Sequence, residues 1–144
     1  MSGICLNTKV SYNASSLLSV RVGRTRWEVT LEALQLAREI ADLVVGELAL
    51  DTRLLDVREV TLIADYFVIC SGNSDRHVQA LTEKVREQLA KKGLRPFGAE
   101  GEAASGWILL DYTDVILHVF TPTVRRFYDL EGFWSQAKTI LRVE

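Results

Sequence analysis

Hydrophobic and polar positions alternate with two different periods along the first half of the chain. Hydrophobic residues spaced three and four apart predict an amphipathic helix over about 31–49, preceded by Thr30 as its cap. A short apolar run at 54–57 and a continuous one at 66–70 predict two strands, the second buried on both faces of a sheet. A second helix begins after Ser74, and its apolar stripe consists of Val78, Leu81, Val85 and Leu89.

The next segments predict three more strands. Residues 94–99 read as a weak strand, and Pro96 places it at an edge of the sheet because proline cannot donate a ladder hydrogen bond. Two apolar runs, 107–112 and 115–120, are separated by Thr113 and Asp114. This arrangement predicts a β-hairpin.

A terminal helix completes the predicted order of elements. Thr121 is followed by a proline, which is typical of a helix start, and the helix is expected to continue to about Leu141 with an interruption at Gly132. The resulting order is helix, strand, strand, helix, three strands and helix. It predicts an α/β (α+β) fold: a single domain with a mixed sheet of about five strands flanked by helices.

The first 29 residues differ in composition from the rest of the chain. They contain five serines, and their only charged residues before Glu28 are four bases. We expect residues 1–29 to be a poorly ordered N-terminal extension and residues 30–144 to form the folded domain. The same composition is typical of an organellar transit peptide. Two cysteines are too few for a disulfide framework, so we expect a reducing, cytoplasmic (bacterial) location, with an organelle matrix or stroma as the alternative if residues 1–29 are a transit peptide.

Composition and charge exclude several classes of protein. The chain has 144 residues, 48% of them hydrophobic and 25% charged, which suits one domain and excludes global disorder. The formal net charge is −2, but residues 28–144 hold 13 basic and 19 acidic residues, a net charge of −6. A strongly basic nucleic-acid-binding protein is therefore disfavoured, and a basic partner surface is favoured. No apolar run approaches the roughly 20 residues that span a bilayer.

Residues with catalytic or metal-binding potential do not form a known set. The two histidines, His77 and His118, lie in the long helix and in the last predicted strand. A metal site needs three or four converging donors, and the sequence has no C-x-x-C, H-x-x-x-H, H-E-x-x-H or D-x-D pattern. We expect no catalytic residue, no bound metal and no cofactor.

Three further features favour structural roles over chemical ones. Cys70 ends a buried run, so we expect an inert thiol; a nucleophilic pair with His118 is the alternative. Residues 72–74 join a strand to a helix, and they fit a tight turn better than an anion-binding loop because neither glycine-rich phosphate-binding pattern is present. Arg125 and Arg126 are expected on a solvated helix face.

The predicted hairpin has one aliphatic face and one mixed face. The mixed face carries aromatic, charged and apolar side chains: Trp107, Leu109 and Asp111 on the first strand, and Ile116, His118 and Phe120 on the second. Such a face is typical of a protein-binding patch with a tryptophan anchor. Equally, the terminal helix could cover it and leave Trp107 half-buried.

Several segments, in order, resemble the ribosomal silencing factor family, also called the RsfS or Iojap family. They are residues 64–78 (ADYFVICSGNSDRHV), 100–102 (EGE), 106–112 (GWILLDY), 114–120 (DVILHVF), and 126–131 (RFYDLE) with Trp134. The resemblance extends over about residues 31–137. Two positions depart from it: Thr113 replaces a usual glycine, and Gly132 replaces a usual helix former, so we expect an altered hairpin turn and a kinked or frayed terminal helix.

The resemblance implies a fold related to nucleotidyltransferases without a known catalytic activity. It implies binding to the fourteenth protein of the large ribosomal subunit at the intersubunit face, which blocks joining of the small subunit and represses translation when nutrients are short. Homodimers of the free protein, and relatives in mitochondria and chloroplasts, are also implied. Carried over to this chain, the partner-binding residues are Trp107, Leu109, Asp111, His118, Phe120 and Tyr128.

Two other functions remain open from the sequence. The first is a nucleotidyltransferase with an unusual metal site that uses Asp111, Asp114 or Glu100, although the missing carboxylate pair argues against it. The second is a dimeric scaffold in which Trp107 lies at the interface between two copies.

Overall fold

The computed structural model describes residues 26–144 as five helical segments and six strands. In chain order these are α1 (Arg26–Gly46), β1 (Leu50–Asp56), β2 (Tyr66–Ser71), α2 (Asp75–Ala90), β3 (Gly98–Glu102), a 3-10 turn (Ala103–Ser105), β4 (Trp107–Asp111), β5 (Val115–Phe120), α3 (Pro122–Tyr128), α4 (Leu130–Phe133) and β6 (Lys138–Val143). No helix in this part of the chain is long and apolar enough to cross a membrane.

The six strands form one mixed sheet in the order β3-β4-β5-β2-β1-β6. Its neighbouring strands are antiparallel except at the centre, where β2 and β5 run parallel and pair Tyr66 with Val115 through to Ser71 with Phe120. All residues of these two central strands are buried. The mixed α/β fold and the hairpin of β4 and β5 confirm the sequence predictions.

The two long helices cover one face of the sheet. The apolar stripe predicted for α2 is buried, together with alanine, isoleucine and valine side chains of α1: Ala33, Ala37, Ile40, Ala41 and Val44. These side chains pack against the aliphatic face of the hairpin, which consists of Ile108, Leu110, Val115, Leu117 and Val119. Ser74 caps α2 as predicted, since its Oγ accepts a hydrogen bond from the backbone N–H of His77 at 3.1 Å.

The opposite face of the sheet is covered by shorter segments. Leu55, Phe67, Ile69, Ile116 and Phe120 form a second apolar cluster there. Side chains from the loop after β1 and from the C-terminal region pack onto this cluster: Val60, Val124, Leu130, Trp134 and Ala137. The sheet is therefore the middle of three layers.

The predicted terminal helix is wrong beyond residue 128. The helix ends at Asp129, whose backbone is left-handed (φ 47°), and one further helical turn leads to β6. β6 pairs antiparallel with β1 at the sheet edge. Its partly buried Ile140 and Leu141 contact the apolar core between the sheet and the two long helices. Burial of these two side chains favours a strand over a continued helix, and the sheet has six strands instead of about five.

Two other boundaries differ from the prediction. α1 begins at Arg26 and ends at Gly46, so Thr30 lies inside the helix and does not cap it. The edge strand β3 spans Gly98–Glu102, because its ladder with β4 starts after Phe97; its place at the edge is as predicted. The predicted disorder of the extension falls mostly on residues 1–25, outside the described residues.

Arg125 is buried, contrary to the prediction of a solvated arginine pair. Its guanidinium donates hydrogen bonds to Oε2 of Glu131 (2.8 Å from Nε) and to Oγ of Ser71 (2.9 Å from Nη1). Asp51 lies 3.7 Å away in the same charge network. Arg125 thereby fastens α3 and α4 to the ends of β1 and β2, whereas Arg126 is exposed as predicted.

Candidate partner-binding face

Trp107 lies half-buried at the start of β4, within a group of aromatic rings. Its ring is stacked on Phe120 with centroids 5.0 Å apart, and the tilted ring of Tyr128 has its centroid 4.9 Å away. The indole Nε1–H donates a hydrogen bond to Nδ1 of His118 at 3.3 Å. Stacking and the hydrogen bond together fix the orientation of the indole while part of it stays accessible.

Three other predicted site residues also reach the surface. Leu109 and Asp111 are half-buried and point to the same side of β4 as Trp107. The Oδ1 atom of Asp111 accepts the backbone N–H of Thr113 at 2.7 Å, so this carboxylate also shapes the hairpin turn. Tyr128 ends α3 with 51% of its surface exposed.

The remaining two predicted residues lie beneath this surface. His118 is 5% exposed and Phe120 is fully buried, because α3 and α4 cover this part of the sheet. The His118 ring packs edge-on against Phe67 at 4.9 Å and parallel to Phe120 at 6.2 Å. Burial lowers the pKa of His118 to about 4, so the imidazole is neutral at physiological pH. The face is thus half covered, as in the alternative with a helix over the sheet, and half open.

The structure adds acidic residues to the edge of this face. Glu102 is paired with Trp107, and Glu100 with Leu109, across the β3–β4 ladder, so each pair projects to the same side of the sheet. Both glutamates are exposed. The sequence pattern did not predict this rim, because Glu100 and Glu102 alternate with Gly101 and lack the apolar pattern of a strand.

Exposed aromatic rings extend the face along the C-terminal helices. Phe127 is 79% exposed and contacts Tyr128 edge-on at 5.0 Å; Phe133 is 74% exposed and contacts Trp134 in the same way at 4.9 Å. Trp134 in turn packs edge-on against Phe67 at 5.8 Å. Of these four rings, Trp134 therefore packs against the sheet, whereas Phe127 and Phe133 are exposed.

The nucleophile hypothesis for Cys70 does not fit the geometry. Cys70 is buried in the core under α1 and α2, whereas His118 lies on the opposite face of the sheet. Burial raises the pKa of the Cys70 thiol to about 12, which keeps it protonated. An inert thiol, as expected, is the consistent interpretation.

Polar groups in the turn between β2 and α2 form hydrogen bonds within the protein. The backbone N–H of Asn73 donates to Nδ1 of His77 at 3.0 Å, and Nε2 of His77 lies 2.8 Å from the carbonyl oxygen of Glu47. A Cβ on Gly72 would come within 2.8 Å of the backbone nitrogen of Val78, so this glycine allows a close approach of helix and strand. The turn is structural, and His77 joins it to the end of α1.

Within residues 26–144, no three histidine, cysteine or acidic side chains lie close enough together to bind a metal ion. Asp111, Asp114 and Glu100, the ligands of the hypothetical nucleotidyltransferase, are not grouped in such a set.

The sequence profile of the family described as "Ribosomal silencing factor during starvation" matches residues 30–144. The chain belongs to this family. It is 40% identical over 87 residues to the ribosomal silencing factor RsfS of Bacillus subtilis, a match that covers 60% of this chain and 74% of that protein.

Two further proteins are similar to this chain at lower identity. A mouse protein named "Mitochondrial assembly of ribosomal large subunit protein 1" is 30% identical, with 67% of this chain and 43% of that protein covered. The crystal structure of a Bacillus halodurans protein superposes with a TM-score of 0.63 at 32% identity, and covers 77% of this chain and 98% of that one. The recognition of the family and of its fold from the sequence is thereby confirmed.

Proposed function

We propose that this protein binds the large ribosomal subunit through its fourteenth ribosomal protein, blocks joining of the small subunit and represses translation when nutrients are limited. The observation that carries the proposal is the half-exposed Trp107, held by Phe120, Tyr128 and His118 at the centre of an apolar face. Membership of the silencing factor family supports it. So does the mouse relative, whose name refers to assembly of the large ribosomal subunit.

The chemistry of the face suits a basic protein loop. A rigid aromatic anchor with an apolar neighbour, Leu109, supplies the buried contact area that dominates most interfaces. Around it, Glu100, Glu102 and Asp111 supply carboxylates for lysine or arginine side chains of the partner. The net charge of −6 over residues 28–144 also attracts a basic protein and repels the neighbouring ribosomal RNA, which favours one docking site over others.

The proposed mechanism is steric and needs no chemical step. A domain bound at the intersubunit face occupies the volume that the small subunit requires, so affinity and position are sufficient. The protein is accordingly proposed to be no enzyme and to use no cofactor, and to work in the compartment of its ribosomes.

Co-sedimentation with separated ribosomal subunits tests the proposal. We expect the full chain to pellet with large subunits only, and Trp107→Ala to bind about 30-fold more weakly, as for a truncated hot spot. Leu48→Ala is the matched control, because Leu48 is 78% exposed and lies before β1, three strands away from β4 in the sheet. Unchanged pelleting of a folded Trp107→Ala variant would refute the proposed face.

The oligomeric state is tested in the same samples. We propose that the free protein is a homodimer, and sedimentation velocity of the wild type and of Trp107→Ala separates this from the scaffold hypothesis. A dimer that persists in Trp107→Ala while ribosome binding is lost supports the silencing function. A dimer that dissociates in this variant indicates that Trp107 belongs to the interface between copies.

A further inference from the structure

His118 cannot touch a docked protein directly, although it lies in the middle of the proposed binding face. It is 5% exposed, and its ring is enclosed by Phe67, Phe120 and the inner edge of Trp107. Its polar contact to the surface layer is the hydrogen bond from the indole Nε1–H of Trp107 to Nδ1, with a length of 3.3 Å.

This hydrogen bond determines the tautomer of the neutral imidazole. Because Nδ1 accepts the indole hydrogen, it carries no proton, and the neutral ring bears its hydrogen on Nε2. Nε2 is buried and has no hydrogen-bond partner within the described part of the chain. A buried donor without a partner lowers stability, and an apolar side chain of similar size would avoid this cost.

A hydrophobic residue would therefore suit the packing of this position better than histidine does. The feature that an apolar residue cannot supply is the acceptor for the Trp107 indole. We propose that His118 is a positioning residue, which holds the Trp107 indole in its partner-binding orientation by accepting the indole N–H at Nδ1. The proposal rests on the proposed function of Trp107 as the anchor for the ribosomal partner.

The rings around His118 explain why its hydrogen bond with Trp107 has a fixed direction. The edge-on contact with Phe67 and the parallel packing on Phe120 fix the plane of the imidazole, with an angle of 9° between the His118 and Phe120 rings. The acceptor therefore points in one direction. Without it, the half-exposed indole can rotate toward solvent to satisfy its N–H, and binding must then select one orientation from several.

Two isosteric substitutions isolate the acceptor. His118→Asn places the amide oxygen near the present position of Nδ1, whereas His118→Leu has nearly the same shape and no acceptor. We expect His118→Leu to bind large subunits about five- to tenfold more weakly than His118→Asn, the scale of one hydrogen bond. Equal affinity of the two variants would overturn the proposal.

Trp107→Ala, measured in parallel, distinguishes a failure of the positioning role of His118 from a failure of the proposed binding face. If Trp107→Ala loses binding and the two His118 variants bind equally, the positioning role fails and the proposed face stands. If Trp107→Ala binds like the wild type, the proposed face itself fails.

A spectroscopic measurement on the free protein tests the hydrogen bond between Trp107 and His118 in the absence of a partner. The indole ¹H–¹⁵N resonance of Trp107, assigned through its absence in Trp107→Phe, reports the hydrogen bond directly. We expect a downfield resonance in the wild type and in His118→Asn, and a shift toward the free indole position in His118→Leu. A Trp107 resonance at the free indole position in the wild type would overturn the proposal even if a His118 variant does not fold.

Discussion

The carboxylate of Asp129 occupies the space that a side chain at residue 132 would need. Its Oδ1 atom accepts the backbone N–H of Gly132 at 3.2 Å and caps α4, while a Cβ on residue 132 would collide with the same carboxylate. Gly132, at which the sequence predicted an interruption of the terminal helix, is thus matched to Asp129.

Gly132→Ala is therefore expected to leave the free energy of unfolding almost unchanged. The lost helix cap costs about 1 kcal/mol, and this cost offsets the similar gain that the same change brings in an ordinary helix interior. Urea unfolding measures the difference. In an Asp129→Gly background, which removes the carboxylate and tolerates the φ of 47°, Gly132→Ala should instead stabilise the protein by about 1 kcal/mol. An equal effect in both backgrounds contradicts this explanation.

Thr113→Gly is expected to stabilise the protein by about 1 kcal/mol. Thr113 has a φ of 75° in the hairpin turn, a conformation that costs a β-branched residue free energy and costs glycine none. The gain is reduced by the greater freedom of glycine in the unfolded chain. Thermal or urea unfolding checks the sign, with Thr113→Ala as the control that keeps the strain. Destabilisation by Thr113→Gly would show that the threonine side chain makes a compensating contact.

Arg125→Ala is expected to cost about 3 kcal/mol of the free energy of unfolding, because it removes the hydrogen-bonded guanidinium from the half-buried carboxylate of Glu131. Glu131 then keeps only the more distant ion pair with Arg53, at 3.8 Å. Arg126→Ala is a matched control from the same helix. Its side chain is exposed, so the change should stay within about 0.5 kcal/mol. Similar effects of the two substitutions in urea unfolding would argue against the buried network.

Acid is expected to lower the free energy of unfolding through protonation of His118. The pKa of His118 is about 4 in the folded state and about 6.5 in an unfolded chain, so the unfolded state binds the proton first as the pH falls. The stabilising contribution of the neutral ring is complete above pH 6.5, and about 3 kcal/mol of it is lost by pH 4.

His118→Asn removes this titration and leaves the carboxylates in place. The free energy of unfolding, measured by urea from pH 7 to pH 4, should fall more steeply for the wild type than for this variant. A constant difference between the two proteins over that range would exclude the lowered pKa.

The sequence predicted most of the central sheet because its signals there are local. The apolar run of β2 and the hairpin of β4 and β5 follow from strand periodicity, and all three strands lie where predicted. β6 was missed because Ile140 and Leu141 are flanked by polar residues, and their burial depends on pairing with the distant β1.

For the candidate site, the sequence predicted which side of the sheet each side chain faces, but not how deeply it is buried. Strand alternation correctly put Trp107, Leu109 and Asp111 on one side of β4. The depth of His118 depends on how α3 and α4 cover that side, which no local pattern contains. For the same reason the burial of Arg125 could not be read from its neighbourhood, since Glu131 and Ser71 reach it only in the folded chain.

The two central strands, β2 and β5, are buried between the two apolar clusters. Their burial determines which parts of the domain unfold locally. Amide hydrogens of β2 and β5 lie within the sheet, in strands that are paired on both sides and buried on both faces, so we expect their exchange for deuterium to report global unfolding. Those of the edge strands β3 and β6 can exchange through local fraying at lower free energy. A partner docked at Trp107 would therefore slow exchange mainly in β3 and β4, while the central pair keeps the slow rate that it already has in the free protein.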